Sequence, residues 1–188
     1  MIDVVRDEET GVISVAFHPD QLRLLPEAVE GMQALQGAGY TLAVATNQPG
    51  PAKGQFSADA VRRTNDALVE HLARAGVRVS ALAACLHHPE GGRGGDMSLV
   101  LACDCRKPKP GMLNALMQQL GGDLTSSWMI GDSSSDIEAG KAAHLKTALV
   151  FARNRCELCP LRDGPAALRP DAHGGTLLEL AQEIIHRG

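Results

Sequence analysis

At 188 residues with a formal net charge of -4, the chain has the size of one domain and no basic field for non-specific nucleic-acid binding. Its aromatic residues are one Trp, one Tyr and three Phe, so the core must be aliphatic and stacking platforms for bases are lacking. Apolar runs such as 79–86 are far shorter than the ~20 residues of a membrane span, and the amino terminus has no signal-peptide pattern.

The elements alternate between short apolar runs and amphipathic helices. A charged turn at 7–11 precedes an apolar run at 12–17. Pro26 to Ala38 predicts a helix, opened by its proline and closed by Gly39. Thr41 to Ala45 predicts a buried strand ending at Thr46-Asn47. Ser57 predicts the cap of a helix to about Ala75, with Gly76 as its stop. Val79 to Leu86 predicts a strand running into Cys85, and 90–96 is a loop by composition. Gly111 to Leu120 predicts a helix stopped by Gly121-Gly122. A strand at Trp128 to Ile130, a helix through Ala143, a strand at 146–151 and a helix at 177–185 follow. The fold class is α/β: a doubly wound, Rossmann-like parallel sheet in one domain (1–188), with no large cap domain.

Cys85, His87, Cys103 and Cys105 form two close pairs joined by a Gly-rich connection, the loop 85–105. Thiolate and imidazole ligands in this number suit a closed, structural Zn2+. Five cysteines, clustered rather than dispersed, fit metal ligation in a reducing compartment, so the cytoplasm is expected.

In open parallel sheets, ligands bind beyond the carboxyl ends of the strands. Thr46 and Asn47 end one strand, offering a hydroxyl and an amide to an anion. Lys107 follows the metal loop, between Arg106 and Pro108. Asp132 and Asp136 follow the strand at Met129-Ile130, where hard oxygens suit Mg2+ completed by water and phosphate. Singly these are ordinary turn, cap and surface residues. Their joint order makes a device for stabilising a transferring phosphoryl group.

Thr-Asn-Gln-Pro-Gly-Pro-Ala-Lys-Gly (46–54), Arg-Lys-Pro-Lys-Pro-Gly-Met (106–112) and Gly-Asp-Ser-Ser-Ser-Asp (131–136) resemble the second, third and fourth motifs of the haloacid dehalogenase (HAD) superfamily of phosphohydrolases. Cys85-Leu-His87 and Cys103-Asp-Cys105 are similar to its zinc-containing branch. That branch holds the D-glycero-D-manno-heptose 1,7-bisphosphate 7-phosphatases and the histidinol-phosphate phosphatases; His-His-Pro-Glu-Gly (87–91) looks more like the former. The resemblance implies a Mg2+-dependent phosphomonoesterase acting on a small sugar phosphate through a phospho-aspartyl intermediate. It implies that Thr46 and the Asn47 backbone bind phosphoryl oxygens and that Lys107 neutralises charge. Arg106 and Lys53 would hold substrate, Asp132 would ligate magnesium, and Asp136 would ligate it more weakly or support Asp132. Lys53 stands where Arg is usual, and Pro49 where Ser is usual. Neither nucleic acid nor membrane is expected as a partner, and the chain is expected to be a monomer.

The first motif of that superfamily, Asp-x-Asp-Gly-Thr/Val at the end of a central strand, has no match in this sequence. Its loss would leave neighbouring strands unpaired. One expectation is that the sequence starts at an internal methionine of a longer phosphatase. The other is a degenerate member, binding phosphate without turnover, in which 12–17 fills the sheet. Cys156 and Cys159 are expected to be plain thiols with only His173 near, and Arg153 and Arg155 solvated. His88 is expected to stabilise its loop; His18, His71, His144 and His186 are read as packing or solvated residues.

Overall fold

The computed structural model describes residues 5–6, 13–14, 16–151 and 169–187. Cys156, Cys159, Arg153, Arg155, Asp3 and Asp7 lie outside them. The strands are β1 (Val5–Arg6), β2 (Ile13–Ser14), β3 (Leu42–Asn47), β4 (Val79–Cys85), β5 (Trp128–Gly131), β6 (Lys146–Val150) and β7 (Ala172–Gly174). The helices are α1 (Ala28–Gly37), α2 (Gly50–Lys53), α3 (Ala58–Arg74), α4 (Gly111–Leu120), α5 (Ser134–Ala142) and α6 (Leu177–Arg187). None is long and apolar enough to cross a membrane.

Local chemistry explains the boundaries. The Ser57 hydroxyl accepts the Ala60 N–H to open α3, whose Val61, Leu68 and Leu72 are buried on one face. Gly121, at φ +64, closes α4 in the left-handed region that glycine adopts without strain. In α6, Leu177, Leu180, Ala181 and Ile184 are buried at helical spacing.

The strands form parallel ladders: β3 with β4, and β5 with β6 with β7. Alternate side chains go to opposite faces. Ala148, Val150, Trp128 and Ile130 pack with α1 and α6 on one side. Met129 and Ala45 pack with α4 and α5 on the other. α3 joins the first side, placing Leu68 and Leu72 against Leu42, Val79 and Met32. This is the expected α/β/α layering. Among the described residues no ladder joins β3 to β5. Of the segment 12–17, Ile13–Ser14 pairs antiparallel with Val5–Arg6 in a separate two-stranded sheet.

α1 and α6 touch closely at Gly31. A Cβ there would lie 2.7 Å from the backbone carbon of Leu177 and 2.8 Å from its oxygen. Backbone cannot rotate away, so Gly31→Ala should cost about 2 kcal/mol of stability, read from urea unfolding. An unchanged midpoint would show that the helix pair yields freely.

Candidate active site and metal centre

The carboxyl ends of β3 and β4 lie in register, with Thr46 opposite Ala84 and Asn47 opposite Cys85. The Gln48 N–H then donates to the Cys85 carbonyl at 2.8 Å. The Thr-Asn segment is thereby tied to the first residue of the metal loop.

Cys85, His87, Cys103 and Cys105 present ligand atoms that all lie within 4.8 Å of one another. Cys85 Sγ lies 3.7 Å from Cys103 Sγ and 3.8 Å from His87 Nδ1. Cys105 Sγ lies 3.1 Å from Cys85 Sγ, 3.3 Å from Cys103 Sγ and 3.2 Å from His87 Nδ1. Zn–S bonds of about 2.3 Å in a tetrahedron require edges of roughly 3.8 Å, so the four atoms need only a slight expansion to hold zinc. Burial, with Cys85 and Cys103 alongside, pushes the Cys105 thiol up to about 12. Such a crowd of sulfurs becomes favourable as thiolates only around a cation.

The glycines of the loop have a packing reason. A Cβ on Gly92 would lie 2.5 Å from the Lys53 carbonyl oxygen, and one on Gly95 would lie 1.9 Å from that of Ala52. The loop thus lies directly on the α2 backbone, fastened by the Asp96 N–H to the Pro51 carbonyl at 3.0 Å. His88 Nδ1 accepts the N–H groups of Glu90 and Gly91 at 3.3 and 3.1 Å, the loop-stabilising role expected of it. Burial and the nearby charges of Lys53 and Arg106 hold its pKa below the usual imidazole value.

Lys107 is the hub. Its side chain is 9% exposed, and Nζ lies 2.6 Å from Asp136 Oδ1, a carboxylate 6% exposed. Nζ also donates to the Ala45 carbonyl of β3 at 2.6 Å. Asn47 clasps the Lys107 backbone, Nδ2 donating to its carbonyl at 2.9 Å and Oδ1 accepting its N–H at 3.1 Å. The Asn47 side-chain amide thus bonds both backbone groups of Lys107. Sequence reasoning missed the clasp because it spans 60 positions.

Asp136 serves the start of α5. Its Oδ2 accepts the N–H of Asp132 at 3.1 Å, the N–H of Ser133 at 3.2 Å and the Ser133 hydroxyl at 3.0 Å. A Cβ on Gly131 would lie 2.2 Å from that oxygen, so the Gly-Asp pair is required by this close approach. With Oδ1 on Lys107, both oxygens of Asp136 are engaged in shaping the turn. Asp132, just past β5, could offer a hard carboxylate oxygen to magnesium.

A HAD-hydrolase-like family model matches residues 104–167. The D-glycero-beta-D-manno-heptose-1,7-bisphosphate 7-phosphatase of Pasteurella multocida is 38% identical over 131 residues, 70% of this chain and 69% of that protein. The chain belongs to the HAD-like hydrolases, in the heptose-bisphosphate phosphatase branch. The enzyme of that name from Pseudomonas aeruginosa is 38% identical over 126 residues, and the match spans 67% of this chain but 65% of that protein. The D,D-heptose 1,7-bisphosphate phosphatase of B. bronchiseptica, solved with magnesium and phosphate, superposes with a TM-score of 0.75 at 28% identity. That match covers 98% of this chain and 94% of the other. Within this HAD-like frame, the motif-bearing segments at 46–54, 106–112 and 131–136 meet around Lys107.

Proposed function

We propose that this chain forms the phosphate-binding body of a Mg2+-dependent phosphomonoesterase whose substrate is a heptose 1,7-bisphosphate, losing its 7-phosphate. The observation that carries the reading is the buried Lys107 ammonium, fixed by Asp136 and Ala45 at the carboxyl end of β3. The relatives' printed names supply the substrate class. The Thr46 hydroxyl donates to a phosphoryl oxygen beside the Asn47 backbone. Lys107 neutralises charge, and it is pre-organised so that no reorientation is needed when charge develops. Arg106 and Lys53 hold the rest of the substrate; Arg106 Nη1 is buried with no hydrogen-bond partner among the described residues, a donor suited to an anion. Asp132 would hold magnesium, which would supply Lewis-acid neutralisation of phosphoryl charge. The zinc set of Cys85, His87, Cys103 and Cys105 shapes the loop and takes no part in chemistry. We place the chain in the cytoplasm as a monomer acting on a small molecule.

A second reading, binding without hydrolysis, is favoured by one observation: no Asp-x-Asp pair occurs anywhere in the 188 residues. Histidinol phosphate remains the competing substrate. Both are tested by 31P NMR of each phosphate ester with the chain and magnesium. Release at the 7-position supports the phosphatase. Binding without release supports the second reading, and absence of binding overturns both.

A further inference from the structure

Three sulfurs of the zinc set lie close enough to react with one another. Cys105 Sγ is 3.1 Å from Cys85 Sγ and 3.3 Å from Cys103 Sγ. Cys85, at the end of β4, is 1% exposed, whereas Cys103 and Cys105 are half-buried and within reach of a small solute. As zinc ligands the sulfurs are thiolates, the form that peroxides oxidise. Cys105 combines both requirements: it is reachable, and a sheltered sulfur stands beside it. A disulfide needs sulfurs about 2 Å apart, so joining Cys105 to Cys85 takes a closure of only about 1 Å. A bond to Cys103 would instead bend the turn through Asp104, whose carbonyl is held by the Gly111 N–H at 2.9 Å. The two bridged residues also belong to the site: the Cys85 carbonyl takes the Gln48 N–H, and Cys105 stands two residues before Lys107.

We propose that the zinc cluster is a peroxide-responsive tether: hydrogen peroxide joins Cys85 to Cys105, zinc is released, and the disulfide then holds the Lys107 loop in the metal's place. The Cys105 thiolate attacks one peroxide oxygen, the O–O bond breaks, and hydroxide leaves, giving a sulfenic acid. The Cys85 thiolate attacks that sulfur, the S–O bond breaks, and a second hydroxide leaves. The two thiolates have lost two electrons and the peroxide has gained them; solvent protons turn both hydroxides into water. Two of the four ligands are now disulfide sulfurs, and His87 with Cys103 are too few to retain zinc. The bridge spans the same two segments as the metal did, so Lys107 keeps its bonds to Asn47, Ala45 and Asp136. A thiol reductant reverses the bond and reopens the site to zinc.

The zinc-loaded 188-residue chain is treated with hydrogen peroxide and followed by zinc release, tryptic mapping and amide hydrogen exchange. About one zinc should leave per bridge formed. Trypsin cuts after Arg78, Arg93 and Arg106, so the bridge joins the peptides 79–93 and 94–106, whereas a Cys103–Cys105 bond would stay within one of them. Fragmentation of the joined pair should place the bond at Cys105. Exchange of the Lys107 and Gly111 amides should stay within about threefold of the zinc-loaded chain after peroxide, but rise at least about tenfold when a chelator removes zinc without oxidation. The Cys156→Ser, Cys159→Ser double variant should respond in the same way. A chain that binds no zinc, or that keeps it under peroxide, overturns the proposal. So does zinc release through sulfinic acid without a bridge, a bridge at Cys103 or one lost in the double variant. A bridged chain whose Lys107 amide exchanges as fast as in the chelated chain overturns it as well. Neither phosphate binding nor phosphate release enters the readout, so this proposal and the phosphatase reading fail independently.

Discussion

Lys107→Met should cost about 3 kcal/mol of stability or more and abolish phosphate binding. Methionine keeps the apolar stem but removes the ammonium from a carboxylate that is 6% exposed. Removing one partner of a buried pair leaves the other charge uncompensated, which typically costs about 3–5 kcal/mol. Asp136→Asn is expected to cost a similar amount, about 3 kcal/mol, because an amide oxygen that accepts from the Asp132 and Ser133 N–H groups turns its NH2 toward the buried Lys107 ammonium. In the double variant the two costs should not add, since each alone breaks the same contact. Urea unfolding of the four proteins gives the coupling energy, and calorimetric titration with inorganic phosphate gives the binding loss. If Lys107→Met unfolds within about 1 kcal/mol of the parent, the Lys107–Asp136 pair does not organise the site.

Much of this hub was legible, but only in pieces. Spacing placed α3 and α4 because Ser57, Gly76 and Gly121 are local signals that act within one turn. The zinc ligands were legible because thiolates and imidazole at short spacing have few other uses. β7 was not anticipated: its three residues carry no periodicity, and it is held by Asp171, whose carboxylate takes the Thr147 N–H and hydroxyl at 2.7 and 2.9 Å. Burial raises the Asp171 pKa, but the Lys141 and Thr147 bonds outweigh it and leave it below the usual carboxylate range. The Asn47 clasp was not legible for the same reason. A side chain that bonds backbone 60 positions away looks, in sequence, like any polar residue at a strand end.

Cys105→Ser should remove zinc and, with it, phosphate binding, although no zinc ligand is placed on the phosphate. A structural zinc site contributes folding free energy directly, on the order of 10 kcal/mol in small zinc domains. Even a loss of about 4 kcal/mol would lower Tm by roughly 10 °C for a chain of this size. The effect reaches the phosphate because Cys105 is two residues from Lys107. The Gly111 N–H, bonded to the Asp104 carbonyl at 2.9 Å, carries the same constraint into α4. Loosening Cys105 therefore frees the Lys107 backbone from one side, leaving the Asn47 clasp to hold it alone. Elemental analysis should find about one zinc per parent chain and little in the variant, and a chelator added to the parent should reproduce the drop in Tm. Because the bound ligands are thiolates and neutral imidazole, protons compete with the metal, so the chelator should act faster as pH falls. Retained phosphate affinity in a zinc-free Cys105→Ser protein would show that Asn47 and Asp136 suffice to place Lys107 and that the metal loop serves stability alone.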